Sequence, residues 1–124
     1  MTTHVPVRFA DPVGPQAGEL LVLGHSLGTS AELWREASAL LQSTYRVLEW
    51  ELPGHGTATP ARQGYRVEDL SVLLVAHVGA LGMDVFLYAG VSVTACVGLD
   101  LALRHASRVT TTTVITSAGF VTMM

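Results

Sequence analysis

The sequence predicts an α/β protein with a mostly parallel sheet of about four or five strands flanked by helices. Short apolar runs alternate along the chain with longer segments of helical periodicity, which is the order that builds a parallel sheet. Hydrophobic residues make up 49% of the 124 residues and charged residues only 14%, as expected for a sheet buried on both faces. A chain of this length forms one domain, so we expect residues 1–124 to be a single unit.

Five segments have the composition of strands, because each is short, apolar or β-branched, and bounded by turn residues. Gly24 closes the second segment, and a turn of proline and glycine at residues 53–56 closes the third. The last segment contains a run of threonines between valines. The predicted strands cover residues 5–9, 20–23, 46–52, 85–89 and 109–116.

Three further segments carry apolar residues at helical spacing. Thr29 or Ser30 is placed to cap the first of them, and Gly82 lies where a glycine is expected after the end of the second. The third follows directly after a turn that contains a serine. The predicted helices cover residues 31–42, 67–81 and 95–105.

The charge distribution excludes a nucleic-acid partner, and the hydropathy pattern gives no sign of a membrane segment. The net charge is −3, and the seven basic residues are all arginines scattered along the chain, so no basic patch forms. The longest apolar stretch, residues 70–89, is interrupted by His77, Asp84 and two glycines. The N-terminus lacks the blocks of a signal peptide, so we expect a cytoplasmic protein.

No cofactor is expected from the motifs present. Cys96 is the only cysteine, which excludes an internal disulfide and a multi-cysteine metal site. The histidines and carboxylates have no metal-ligand spacing, and no glycine-rich phosphate loop is present. We therefore expect neither a metal nor an organic cofactor.

Two serines lie in turns that resemble a nucleophile elbow, the sharp strand-to-helix turn that exposes a catalytic serine. The turn at residues 24–28 matches Gly-x-Ser-x-Gly around Ser26, and the turn at residues 90–94 matches it around Ser92 except for its last residue. Ser26 follows the first well-defined strand, whereas Ser92 follows the third and precedes a helix, as an elbow requires. We favour Ser92 as the nucleophile and Ser26 as a small residue in a tight loop; the alternative for Ser92 is an ordinary helix cap.

The order of the motifs resembles the N-terminal half of an α/β-hydrolase, and most of all 3-oxoadipate enol-lactonases and related esterases. In those proteins a Ser-Leu-Gly-Thr segment follows an early strand, a tryptophan comes shortly after, and Gly-His-Gly ends the next strand. The chain has these motifs at residues 26–29, at Trp34 and at residues 54–56, followed by Gly-Val-Ser at residues 90–92. The resemblance covers about residues 20–118, and its motifs are specific only when taken together.

The resemblance implies hydrolysis of a small-molecule ester or lactone through an acyl-enzyme, with Ser92 as the nucleophile. It also implies that the backbone amides of Leu27 and Val93 form the oxyanion hole, the pair of donors that faces the developing negative charge. His25, Ser26 and His55 are candidate pocket residues, with structural roles expected for both histidines.

Two departures from the family pattern stand out. Thr94 and Ala95 occupy positions where relatives carry two glycines, and a β-branched Thr94 is expected to crowd the elbow. The catalytic acid and histidine normally lie beyond the strand after the elbow helix, yet the chain offers only Asp100 and His105 after Ser92. We expect both of these to lie on a solvated face of the elbow helix.

The fold is thus expected to be partial, ending after the strand that follows the elbow. Residues 109–116 would then form an unpaired edge, which predicts a homo-oligomer or a complementary C-terminal half as partner. Two alternatives remain: a non-catalytic remnant that acts as an interaction module, and an incomplete or shifted reading frame of a full-length enzyme.

Overall fold

A computed structural model describes residues 5–116 and 119–123 of the chain. These residues form one six-stranded mixed sheet with three α-helices packed on it. The strand order across the sheet is β1-β3-β2-β4-β5-β6. The elements are β1 (Arg8–Phe9), β2 (Leu20–Gly24), α1 (Arg35–Leu41), β3 (Arg46–Glu51), α2 (Val67–Ala80), β4 (Phe86–Val91), α3 (Val93–Arg104), β5 (Val109–Thr116) and β6 (Gly119–Met123).

The predicted α/β class is confirmed, and the sheet is parallel at its centre and antiparallel at its two edges. Strands β3, β2, β4 and β5 are parallel neighbours, as expected when each strand returns through a helix or loop. The short β1 pairs antiparallel with β3, and β6 pairs antiparallel with β5. The carboxyl ends of β2 and β4 therefore meet at the same edge, where both serine turns begin.

The first predicted helix is divided in the structure. Residues Ala31–Trp34 form a 3-10 turn, and α1 follows it directly. Ser30 caps this turn, since its hydroxyl accepts a hydrogen bond from the Glu32 amide at 3.3 Å. The Trp34 indole N–H donates to the Gly24 carbonyl at 2.8 Å, which holds the turn against the end of β2.

The core lies mainly on one face of the sheet. Helices α2 and α3 cover that face and bury the side chains of alternate residues on β2, β3 and β4, as a sheet packed against helices requires. The main members of this cluster are Leu20, Val22, Leu48, Trp50, Leu74, Phe86, Tyr88, Val97 and Leu101. This packing fixes the start of α3 against the end of β4.

The opposite face is covered over only part of its width. Helix α1 packs there on a small cluster of Leu21, Leu23 and Val47. Beside α1 lies a concavity of about 450 Å³, whose floor is formed by β4 and β5 residues including Leu87, Ala89 and Ile115. We call this surface the open face.

The prediction that residues 109–116 form an unpaired edge is wrong. Strand β6 pairs with β5 over five residue pairs, from Thr112 opposite Met123 to Thr116 opposite Gly119. A threonine-rich β5 favours this pairing, because β-branched residues suit a pleated, half-buried surface. Strand β6 is thus an element that the local sequence pattern did not indicate.

Candidate active site

Ser92 lies in a strained turn between β4 and α3. Its backbone angles are φ 60° and ψ −119°, and it is the only non-glycine residue in the described ranges with positive φ. Such a conformation costs of order 1–3 kcal/mol and persists only where the surroundings enforce it. The Ser92 amide donates to the Ile115 carbonyl at 3.2 Å, and the Ser92 carbonyl accepts from the Ala95 amide at 2.9 Å. The turn therefore has the geometry of a nucleophile elbow.

The side chain of Ser92 is not used as a cap. Ser92 occupies the N-cap position of α3, yet its hydroxyl makes no capping hydrogen bond, and the residue is exposed. An ordinary N-cap serine would accept a bond from an amide in the first helical turn. The capping alternative for Ser92 therefore has no support in this geometry, and the hydroxyl is free to face a ligand.

Gly90 makes the close approach of strand and helix possible. A Cβ atom at this position would collide with the backbone carbonyl of Thr94. Because this carbonyl belongs to the backbone and not to a flexible side chain, it could not move aside. The first glycine of the serine motif is therefore required by packing, since any larger residue would push α3 away from β4.

The expectation that Thr94 crowds the elbow is wrong. The side chain is 1% exposed and packs against Gly24, where a Cβ atom would come within 2.7 Å of the Thr94 Cβ. Its hydroxyl accepts from the Val91 amide at 2.8 Å and lies 2.9 Å from the His25 carbonyl, to which it donates. Because Gly24 has no side chain, it leaves space that the Thr94 side chain fills. Threonine therefore fits at position 94.

The loop after β2 contains Ser26 in a tight turn, as expected. The Thr29 hydroxyl donates to the Ser26 carbonyl at 2.7 Å, and the Thr29 amide donates to the same oxygen at 3.1 Å. The Ser26 and Thr29 hydroxyls are 3.1 Å apart, so the Ser26 side chain is engaged inside the loop. Gly28 has φ +82°, a value that favours glycine. No helix begins at Ser26, so this turn is not an elbow despite its sequence.

His25 is fully buried and uses both ring nitrogens. Nε2 accepts from the Leu52 amide at 3.0 Å, and Nδ1 lies 2.8 Å from the Ser26 carbonyl, to which it must donate because a carbonyl only accepts. Burial lowers the pKa of His25, and the neighbouring His55 lowers it further, although the contact with Ser26 acts in the opposite direction. His25 is therefore a neutral structural residue with no nitrogen available for Ser92.

His55 forms a second link of the same kind. Its Nε2 accepts from the Gly28 amide at 2.9 Å, and its Nδ1 donates to the Pro53 carbonyl at 3.0 Å. The His25 and His55 rings lie side by side, with centroids 5.1 Å apart. Together they connect the loop after β2 to the turn after β3.

Glu51 is a structural residue that the sequence analysis did not single out. Its carboxylate is nearly buried and accepts hydrogen bonds from the Ala31 amide at 3.1 Å and from the Thr57 amide at 3.2 Å. Burial by itself raises the pKa of this carboxyl, but these bonds and the nearby Arg8 outweigh it, so the pKa is lower than usual. The alternation of β3 could not indicate this burial, because it places Glu51 on the face opposite Trp50.

The amides of Leu27 and Val93 are candidates for the oxyanion hole. Neither donates a hydrogen bond to another residue within the described ranges, while their neighbours Thr29 and Ala95 do. Leu27 lies in the loop after β2 with its side chain 66% exposed, and Val93 is the first residue of α3. The bond from Thr94 to His25 joins these two segments directly.

Asp100 and His105 are far along α3 from Ser92. The Arg104 guanidinium donates to both carboxylate oxygens of Asp100 at 2.8 Å and thereby lowers the pKa of Asp100. His105 ends the helix, and its amide donates to the Leu101 carbonyl at 2.8 Å. Since Asp100 lies two helical turns beyond Ser92, neither residue can relay a proton from the serine.

The described residues contain no group of three or more histidine, cysteine, aspartate or glutamate side chains placed to hold a metal ion. Within the same residues, no helix has both the length and the apolar character needed to cross a membrane.

Comparison with known proteins identifies relatives among hydrolases. No family model matches the chain. A 3-oxoadipate enol-lactonase of Acinetobacter baylyi is 29% identical over 106 residues, which is 86% of this chain and 40% of the relative. A hydrolase structure from Pseudomonas aeruginosa has a TM-score of 0.79 and 27% identity, covering 90% of this chain and 42% of that one. The enol-lactonase structure from Burkholderia xenovorans has a TM-score of 0.76 and 28% identity, covering 83% and 40%.

The chain thus spans about two fifths of the length of the proteins that it matches. The chain is homologous to 3-oxoadipate enol-lactonases and related hydrolases, and its fold is a partial α/β-hydrolase fold.

Proposed function

We propose that the chain supplies the nucleophile and the oxyanion hole of a cytoplasmic serine hydrolase acting on a small ester or lactone, as in the enol-lactonase relatives. The Ser92 hydroxyl attacks the carbonyl carbon, and its proton passes to a base. The tetrahedral intermediate then expels the alkoxide, which is protonated as the leaving alcohol, and water hydrolyses the acyl-enzyme. The Leu27 and Val93 amides donate to the oxyanion in both steps.

The backbone conformation of Ser92 is the observation that carries this proposal. A serine used only as a cap would not need φ 60°, which costs free energy, and its hydroxyl would bond to the helix. Here the strain exposes the hydroxyl at the carboxyl edge of the sheet, where ligands bind in open α/β folds.

Because no candidate base or acid is free near Ser92 within the described residues, we propose that another polypeptide segment supplies both. Both ring nitrogens of His25 and of His55 are engaged, and Asp100 is paired with Arg104. The open face beside α1 is a place where such a segment could pack, because its floor of Leu87, Ala89 and Ile115 is apolar. We therefore propose a complementary C-terminal half, or a second copy of the chain, as the partner.

A fluorophosphonate probe tests the nucleophile, because it reacts with a serine only when a base activates the hydroxyl. We expect an adduct on Ser92, located by mass spectrometry of peptides, that disappears in Ser92→Ala. The matched control is Ser26→Ala, which should retain the adduct. Labelling of Ser26 in place of Ser92 would overturn the assignment. A folded chain that is not labelled at all would show that it lacks a base in isolation.

The alternative function is a non-catalytic module that associates through the open face. The observation that favours it is the absence, within the described residues, of a histidine with a free nitrogen near Ser92. Sedimentation analysis distinguishes the two functions when combined with labelling. A dimer that dissociates in Ala89→Glu and carries no label on Ser92 would support the module, and a reactive Ser92 would support the hydrolase. The remaining alternative, an incomplete or shifted reading frame, is tested by reading the DNA sequence downstream of the gene. An aspartate and a histidine encoded there in register would support it.

A further inference from the structure

The hydroxyl of Thr94 connects the two segments that carry the candidate oxyanion amides. It accepts a hydrogen bond from the Val91 amide at 2.8 Å and donates to the His25 carbonyl at 2.9 Å, with the Val91 carbonyl nearby at 3.0 Å. Val91 directly precedes Ser92, and His25 lies two residues before Leu27. One side chain therefore spans the gap between the elbow and the loop after β2.

The position of this bridge follows from the end of the sheet. The parallel ladder between β2 and β4 ends at Leu23 opposite Ala89, so His25 and Val91 lie just beyond it. Since backbone amides and carbonyls removed from water need partners, the end of the ladder leaves the Val91 amide and the His25 carbonyl in need of another one. The Thr94 hydroxyl inserts between them and replaces the missing ladder bond.

Two neighbours hold the bridge in place. Gly24 leaves the space that the Thr94 side chain fills, because any Cβ on residue 24 would collide with it. The Tyr88 hydroxyl, which is fully buried, donates to the Thr94 carbonyl at 2.8 Å. Burial raises the pKa of Tyr88, so the phenol stays protonated and remains a donor. The Tyr88 hydroxyl thus links the first turn of α3 to β4, and the Thr94 hydroxyl links the same turn to the loop after β2.

We propose that Thr94 is a positioning residue that sets the separation of the Leu27 and Val93 amides. This inference rests on the proposed function, because those amides matter only if Ser92 reacts. An oxyanion hole requires both donors to lie 2.7–3.1 Å from the oxygen that they stabilise. Leu27 lies on a loop, and a loop without a bond to the elbow would let this distance vary. The bridge restricts that freedom from the side of the elbow.

A purely local role is the simpler explanation for Thr94. A threonine in the first helical turn often bonds only to nearby backbone. Such a role would account for the contact with Val91 but not for the contact with His25, which is 69 residues away. The two explanations differ in what they predict for Leu27 when the hydroxyl is removed.

The test compares Thr94→Val, which removes the hydroxyl, with Thr94→Ser, which keeps it, in the 124-residue chain. The matched control is Thr112→Val, because Thr112 is equally buried and its hydroxyl has no hydrogen-bond partner within the described residues. We measure amide hydrogen exchange at Val91 and ¹⁵N relaxation at Leu27, neither of which depends on activity. Thr94→Val should raise Val91 exchange at least about tenfold and increase Leu27 mobility, whereas Thr94→Ser and Thr112→Val should not.

The second measurement is the rate of fluorophosphonate labelling at Ser92. We expect Thr94→Val to lower it by about 10- to 100-fold, with recovery in Thr94→Ser, because complete loss of one donor costs 10²–10³-fold. Unchanged Leu27 relaxation in folded Thr94→Val would overturn the inference, as would an unchanged labelling rate. If the wild-type chain is not labelled, the proposed function fails for the isolated chain and the Leu27 relaxation alone decides. Thr94→Ala replaces Thr94→Val if the latter does not fold.

Discussion

The Gly28 amide donates a hydrogen bond to Nε2 of His55 at 2.9 Å, across 27 residues of sequence. This bond requires a neutral imidazole, because an imidazolium has no lone pair to accept it. The same ring donates through Nδ1 to the Pro53 carbonyl, so its tautomer is fixed. His55 is thereby a link between the turn after β3 and the loop that carries Leu27.

Replacing His55 by alanine should therefore loosen the loop after β2 without unfolding the sheet. We expect faster exchange of the Gly28 amide and a loss of about 0.5–1.5 kcal/mol in the free energy of unfolding, the usual net contribution of one hydrogen bond. Amide exchange and denaturant unfolding measure the two effects. His55→Asn, which keeps an acceptor on a shorter side chain, should fall between wild type and alanine. A Gly28 amide that exchanges equally in all three would contradict this role.

The buried His25 makes stability depend on pH. Burial lowers its pKa in the folded state below the ordinary value near 6.5, so the unfolded chain binds more protons around pH 6. Stability from this group is complete above about pH 6.5 and declines as the pH falls toward the lowered pKa. Denaturant unfolding at a series of pH values should show this slope.

His77 needs a separate variant in that experiment, because burial lowers its pKa as well and its ring stacks on Phe9. His77→Gln should remove part of the pH dependence and leave the part that belongs to His25. NMR titration of the ring protons provides a direct check. A His25 midpoint at or above 6.5 in the folded protein would contradict the assignment of a neutral, buried ring.

Sequence periodicity was sufficient for most of the sheet. Residues 109–116 form the strand that was predicted, and the strands around Leu21 and Phe86 were placed within two residues. These strands carry uninterrupted apolar or β-branched runs, which favour a pleated surface that is at least half-buried. The strand at 119–123 was missed because pairing with β5, a long-range property, decides its conformation.

The candidate site was only partly predictable. Ser92 could be placed from its motif and its position after the strand predicted at residues 85–89, and the backbone angles agree with that placement. The effect of Thr94 was predicted wrongly, because whether a threonine fits depends on the residue facing it. That residue is Gly24, 70 positions earlier in the chain. No local pattern connects the two.

The Glu51 carboxylate should contribute stability that depends on its charge. Its pKa is lower than the usual value of 4.5, so its contribution is complete above about pH 4.5 and is lost as the pH falls through the lowered value. Glu51→Gln should cost about 1–3 kcal/mol at neutral pH, because the Ala31 and Thr57 amides lose their charged acceptor. Glu49→Gln, on the same strand and half-buried, is the control and should change stability by less than about 0.5 kcal/mol. Equal losses of stability in the two variants would contradict a stabilising role for the hydrogen bonds to the Glu51 carboxylate.

The contact between Gly24 and Thr94 predicts non-additive effects of mutation. Gly24→Ala places a methyl group against the Thr94 side chain and should cost about 1–3 kcal/mol, as overpacking does in a dense core. In a Thr94→Gly background the same substitution meets less of an obstacle, although the Tyr88 hydroxyl remains at 2.8 Å from the added carbon. The cost of Gly24→Ala should therefore fall by about 0.5–3 kcal/mol in that background.

Denaturant unfolding of the four proteins in this cycle measures the coupling between positions 24 and 94. Gly64→Ala serves as the control in both backgrounds, since a Cβ at Gly64 meets no atom within 4 Å. Its effect should be the same with threonine or glycine at position 94, because distant sites add. If Gly24→Ala were equally costly in both backgrounds, Thr94 would not be what fills the space above Gly24, and the bridge from the elbow to His25 would lose its packing support.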